Sequence, residues 1–83
     1  MNLIVFSPEP TTTQLNRFAR ANGGDLIQND DTAIFQWQGQ NLRLVLDEGP
    51  SIPKVVEIQS PENTDELQAA LEKAGFKFLA IES

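Results

Sequence analysis

Four side chains have the type and setting to do binding chemistry: Phe35, Trp37, Arg43 and Glu57. Glu57 is the one acidic residue inside an apolar, strand-like run, Lys54-Val55-Val56-Glu57-Ile58. Strand alternation puts Glu57 with Val55 on one face and Val56 with Ile58 on the other. On the wet side of a one-sided sheet Glu57 is a solvated charge. In a concave pocket it could act as a general base, provided burial raised its pKa toward neutrality. Arg43 alternates with Leu42, Leu44 and Leu46, and with Arg17 and Arg20 it makes up half of the six cations. Arg17 and Arg20 stand at i, i+3 and share a helix face. They could clamp a carboxylate or an acidic partner, or simply form an exposed face. Phe35 and Trp37, two residues apart, would lie on one side of a strand.

Other acidic pairs carry less. Asp30-Asp31 and Asp47-Glu48 fall in turns, and their spacing does not match a Ca²⁺ loop of the D-x-D-x-D-G kind. Gly23-Gly24 follows a helix, whereas a phosphate-binding turn precedes one.

The composition removes whole reaction classes. The 83 residues include no His and no Cys. A Ser-His-Asp triad, a Cys nucleophile and a thiolate or imidazole metal site are therefore excluded, as is a disulfide framework. With 6 Lys+Arg against 12 Asp+Glu the formal net charge is -6. That balance disfavours direct binding to a phosphate backbone and to anionic membrane surfaces. Hydrophobic content of 40% and charged content of 22% suit one small globular domain. No apolar run approaches the ~20 residues of a membrane span or the ~7–15 of a signal-peptide core. A cytoplasmic protein without cofactors is expected.

The elements that must position these residues follow from periodicity. Leu3-Ile4-Val5-Phe6 reads as a buried strand stopped by Ser7-Pro8. Leu15, Phe18 and Ala19 repeat at helical spacing, after a cap from one of Thr11, Thr12 or Thr13 and before Gly23 as a left-handed stop. Asp25–Gln28 is a short strand and Asn29-Asp30-Asp31 a turn. Ala33, Phe35 and Trp37 alternate with Ile34, Gln36 and Gln38, Gly39 turns, and Leu42, Leu44 and Leu46 alternate again. These two strands should form an antiparallel hairpin. Lys54–Ile58 is a further strand. A helix with the stripe Leu67, Ala70, Leu71 and Ala74 follows, ended by Gly75. Its start is either Ser60 capping with Pro61 at the first helical position, or Asn63 capping with Glu66 three residues on. Phe76–Ile81 is the last strand.

Two stretches are alike. Val5-Phe6-Ser7-Pro8-Glu9 precedes a helix, Gly23 and Leu26-Ile27, and Ile58-Gln59-Ser60-Pro61-Glu62 precedes a helix, Gly75 and Phe78-Leu79. Each reads strand, Ser-Pro-Glu, helix, Gly, strand. The expected fold is α+β: a mostly antiparallel sheet of five to six strands with two helices on one face, and two β-α-β units around a central hairpin.

The order strand, helix, three strands over Leu3 to Asp47, with the Trp37-Gln38-Gly39-Gln40-Asn41-Leu42 turn, resembles a module of the vicinal-oxygen-chelate family of glyoxalase and bleomycin-resistance proteins. Val55 to Ile81 looks like the start of a second module. The family's metal sites use His and Glu on strands. This chain has no His, so the resemblance implies the fold without the metal chemistry. The chain also resembles ferredoxin-like domains of the ACT type, with Ala33–Leu46 as an inserted hairpin.

Two helices can cover only one sheet face, yet the first and last strands are apolar on both sides. A second cover is needed. The expectation is a homodimer, its contact carried by the hairpin residues around Phe35 and Trp37. A small acidic, non-enzymatic interaction or regulatory protein follows, with a basic protein surface as a possible partner. The alternative is a small-molecule-binding homodimer with an aromatic-lined pocket on the sheet.

Overall fold

A computed structural model describes residues 1–29 and 32–82. The chain runs β1 (Asn2–Phe6), α1 (Thr12–Ala21), β2 (Asp25–Gln28), β3 (Ala33–Trp37), β4 (Gln40–Asp47), β5 (Lys54–Ser60), α2 (Asp65–Lys73) and β6 (Phe78–Ile81). The strands form one six-stranded sheet in the order β2-β3-β4-β5-β1-β6, every neighbouring pair antiparallel. Strands β2 to β5 are a meander of short connections. The first strand then lies between the last two, so β5-α2-β6 is a split unit with β1 in the gap, while α1 carries the chain past three intervening strands. The two look-alike segments thus share local chemistry but not the distance they cross. Among the described residues no helix is long and apolar enough to cross a membrane.

Local chemistry explains the elements. Thr11 caps α1 in a capping box: Gln14 N–H donates to Thr11 Oγ1 at 3.1 Å, and Thr11 N–H donates to Gln14 Oε1 at 2.9 Å. Gly23 and Gly75 follow the two helices at φ 79° and 93°, left-handed values that glycine adopts without a Cβ penalty. The β3–β4 hairpin closes through Gln38 at φ 48° and Gly39 at φ 80°. Two left-handed central residues make a type I′ turn, whose twist matches that of the flanking strands.

Helix α2 starts later than the sequence suggests. Ser60 belongs to β5 and its Oγ accepts from Glu62 N–H at 3.2 Å. Asn63 Oδ1 accepts from Asp65 N–H at 2.8 Å, an Asx turn that leads into the helix rather than capping it. The N-cap position falls to Thr64, whose hydroxyl is engaged by Gln68 Nε2 at 2.8 Å instead of a backbone amide.

Both helices pack on the same sheet face, as one core joins Leu15, Phe18 and Ala19 of α1 and Leu67 and Leu71 of α2 to the strands. The sheet contributes Ile4, Phe6, Phe35, Trp37, Leu42, Leu44, Val55 and Ile58. Aromatic rings fill its centre. Phe18 stacks on Phe35 and Trp37 with centroids 6.2 and 5.8 Å away, and meets Phe76 edge-on at 5.5 Å. Gly24 permits this closeness: a Cβ there would sit 2.0 Å from the Gln36 carbonyl oxygen. Glycine at the α1–β2 junction lets the turn lie directly on the β3 backbone.

Candidate functional site

Residues directly opposite across antiparallel strands point to the same face. The pairings therefore spell out the uncovered side. One row crosses all six strands: Ile27, Ile34, Arg43, Gln59, Leu3 and Ile81. The next row holds Val45, Glu57, Val5 and Leu79. The open face is thus aliphatic at both ends and polar in the middle. Its apolar exposure is concentrated at the β6 end, where Leu79 is 65% and Ile81 44% exposed beside half-buried Leu3 and Val5.

A β-bulge shapes the middle. The β4–β5 register shifts between Val45 and Leu46, so Val45 faces Glu57 but Leu46 faces Val55, leaving Val56 as the extra residue. Simple alternation puts Val55 beside Glu57. The bulge turns Val55 back into the core, fully buried with Ile58, and leaves Glu57 on the open side without it.

Glu57 is half-buried there, and Gln59 Nε2 donates to its Oε2 at 3.0 Å. Arg43 is exposed on the neighbouring strand, diagonal to Glu57. The one ion pair among the described residues is Arg20 Nε to Asp25 Oδ1 at 3.5 Å, so Arg43 and Glu57 do not salt-bridge. Beside Arg43 lies a shallow cavity of about 290 Å³ lined by Gln28, Thr32, Val45 and Glu48 among others. Of the other arginines, Arg20 is held by Asp25, and Arg17 borders a groove of about 430 Å³ between Pro8–Pro10 and Gly75–Lys77. Among the described residues no set of three or more carboxylates is placed to hold a metal ion. Asp30 and Asp31 lie outside the described residues.

Phe35 and Trp37 are not on this face. Phe35 is fully buried and Trp37 is 7% exposed, both under α1 against Phe18. The hairpin has one face richer in large side chains, and the first helix takes that face because Leu15, Phe18 and Ala19 need a surface to cover. A ligand or partner approaching the open face meets Arg43 and Glu57 but not the two rings. The expected aromatic-lined pocket and the aromatic dimer contact are both corrected by this placement. The exposed apolar side chains of this face are instead Leu79 and Ile81. Their signal was a last strand apolar on both sides.

No protein-family model, no curated protein and no solved structure matches this chain.

Proposed function

We propose that this chain is a small, non-enzymatic interaction protein that works as a symmetric homodimer, with the apolar end of its open sheet face as the contact surface. The observation that carries this reading is the exposure of Leu79 and Ile81, at 65% and 44%, next to Leu3 and Val5 on a face that neither helix covers. Large aliphatic side chains gathered on one exposed patch mark a contact surface in a chain with a complete core elsewhere. Of the four candidate side chains, the two on that face, Arg43 and Glu57, are one cation and one anion without a nucleophile between them. They suit recognition better than turnover. The net charge of -6 favours a further partner with a cationic surface, drawn in by long-range attraction.

Sedimentation of the wild-type protein over a dilution series tests the reading, beside the Leu79→Lys and Ile81→Lys double variant. The wild type is expected to run at twice the 9.2 kDa chain mass and the variant at the mass of one chain. Association that the double variant leaves unchanged would remove the patch from the contact.

A further inference from the structure

A six-stranded open sheet has two edges, and the protein treats them differently. At the β2 edge, side chains take up one outward backbone donor, the Leu26 N–H. Asn29 N–H donates to the Thr32 carbonyl, which makes Asp25, Ile27 and Asn29 the residues bonded to β3 and turns Leu26 and Gln28 outward. The outward Leu26 N–H is then met by Asp25 Oδ1 at 2.9 Å and by Asn16 Oδ1 of α1 at 3.3 Å. The Arg20–Asp25 ion pair lies at the same edge. These are the devices by which proteins blunt an edge against pairing.

The β6 edge has no such side-chain bond within the strand. Its residues, Phe78-Leu79-Ala80-Ile81, include no charge and no proline. Ser7 N–H donates to the Lys77 carbonyl at 3.0 Å, and Val5 and Leu3 stand opposite Leu79 and Ile81. Alternation then assigns the backbone groups of Leu79 and Ile81 to the β1 ladder and turns those of Phe78, Ala80 and Glu82 outward. Among the described residues no side chain takes up the Ala80 N–H, in contrast to Leu26.

We infer that the second copy docks edge to edge on β6, extending the two sheets into one of twelve strands. This rests on the homodimer reading above and says where that contact is built. The edge is complementary to itself. A twofold axis through Ala80 pairs it with the partner's Ala80, and both exchange N–H to carbonyl bonds. The same register sets Phe78 opposite the partner's Glu82 and Leu79 opposite the partner's Ile81. All of these keep each side chain on its own sheet face. Leu79 and Ile81 then fall in non-hydrogen-bonded positions, where side chains across a seam are closest. Two aliphatic rows become continuous: Val5 and Leu79 with the partner's Ile81 and Leu3, and their symmetric equivalent. The alternative symmetric contact, one open face laid on the other, would have to desolvate Arg43 and Glu57 at the centre of the sheet. Edge pairing leaves both in water and brings Leu79 and Ile81, 65% and 44% exposed, side by side across the seam. It also doubles the open face available to a further partner.

Two measurements test this. Ala80→Pro removes an outward N–H and adds a ring at the seam but leaves the β1 ladder its donors, since Leu79 and Ile81 supply them. It should weaken the dimer by about a hundredfold while circular dichroism reports an intact fold. Ile34→Lys, at the far end of the open face, should leave the dimer unchanged. Amide hydrogen exchange on the wild type reads the seam directly, and decides the matter if Ala80→Pro does not fold. Phe78, Ala80 and Glu82 should lose protection on dilution, while Leu79 and Ile81 keep theirs. A dimer that survives Ala80→Pro but dissolves with Ile34→Lys, or whose Ala80 amide exchanges freely at high concentration, overturns the edge contact and leaves the homodimer standing. A wild-type protein that is monomeric at every concentration overturns both.

Discussion

Gly24→Ala is the substitution whose cost the structure fixes most directly. Gly23 and Gly24 are neighbours, yet they are glycines for different reasons. Gly23 sits at φ 79° with open space where a Cβ would go, so alanine there bears only left-handed backbone strain, about 1 kcal/mol. Gly24 has no such φ, but its Cβ would lie 2.0 Å from the Gln36 oxygen and 3.1 Å from its carbon. Both atoms belong to the backbone of β3, so no rotamer can relieve the overlap. Relief requires the α1–β2 turn and β3 to part by roughly 1 Å, as Cβ atoms keep at least 3.0 Å from such neighbours. That parting would loosen Phe18 on Phe35 and Trp37. Overpacking of this kind costs about 3 kcal/mol. A domain of 83 residues has a total stability of roughly 4–12 kcal/mol, so the change removes a large part of it. Urea titrations of Gly23→Ala and Gly24→Ala, followed by the fluorescence of Trp37, give both values from matched transitions. Equal losses for the two variants would show that the turn does not rest on β3 and would refute the steric argument.

Trp37→Ala should lower stability by about 3–5 kcal/mol, as expected for a large ring removed from a core; its dissociation constant as a dimer, measured on the folded fraction, should stay at the wild-type value. Gln38→Asn should raise stability by about 0.5 kcal/mol, because asparagine tolerates the left-handed first position of a type I′ turn better than glutamine. Thermal unfolding of the two proteins side by side reads that gain.

Much of this fold is written in local sequence. The capping box at Thr11, the hairpin turn at Gly39 and the stops at Gly23 and Gly75 each depend on a few adjacent residues, and each forms where those residues stand. What sequence does not carry is set by contacts between distant segments. The bulge at Val56 exists only in relation to β4, so alternation along β5 alone misplaces Val55. Gly24 reads like Gly23 until Gln36 is seen above it. The hairpin has apolar side chains on both faces, and the packing of α1 on the richer one puts Phe35 and Trp37 inward. Ser60 and Asn63 are two plausible caps for one helix, and the turns they form instead leave the N-cap position to Thr64. For the candidate site, Arg43 and Glu57 were legible because a charge in an apolar strand must find water. Leu79 and Ile81 were not singled out, since an apolar last strand does not announce which of its sides the helices leave bare.

The insertion of β1 between β5 and β6 also bears on the order in which the chain can assemble. As the protein is synthesised, Leu3-Ile4-Val5-Phe6 leaves the ribosome before every strand it pairs with. Its partners, Lys54–Ser60 and Phe78–Ile81, are the last two strands to appear. The meander of β2 to β4 has near neighbours and can zip up early, at low loop-closure cost. The first strand cannot. For most of translation it is an apolar segment without a sheet to enter, the kind of segment that nascent-chain chaperones bind and that aggregates when they do not. The last strand to be made is thus the one that closes over the first.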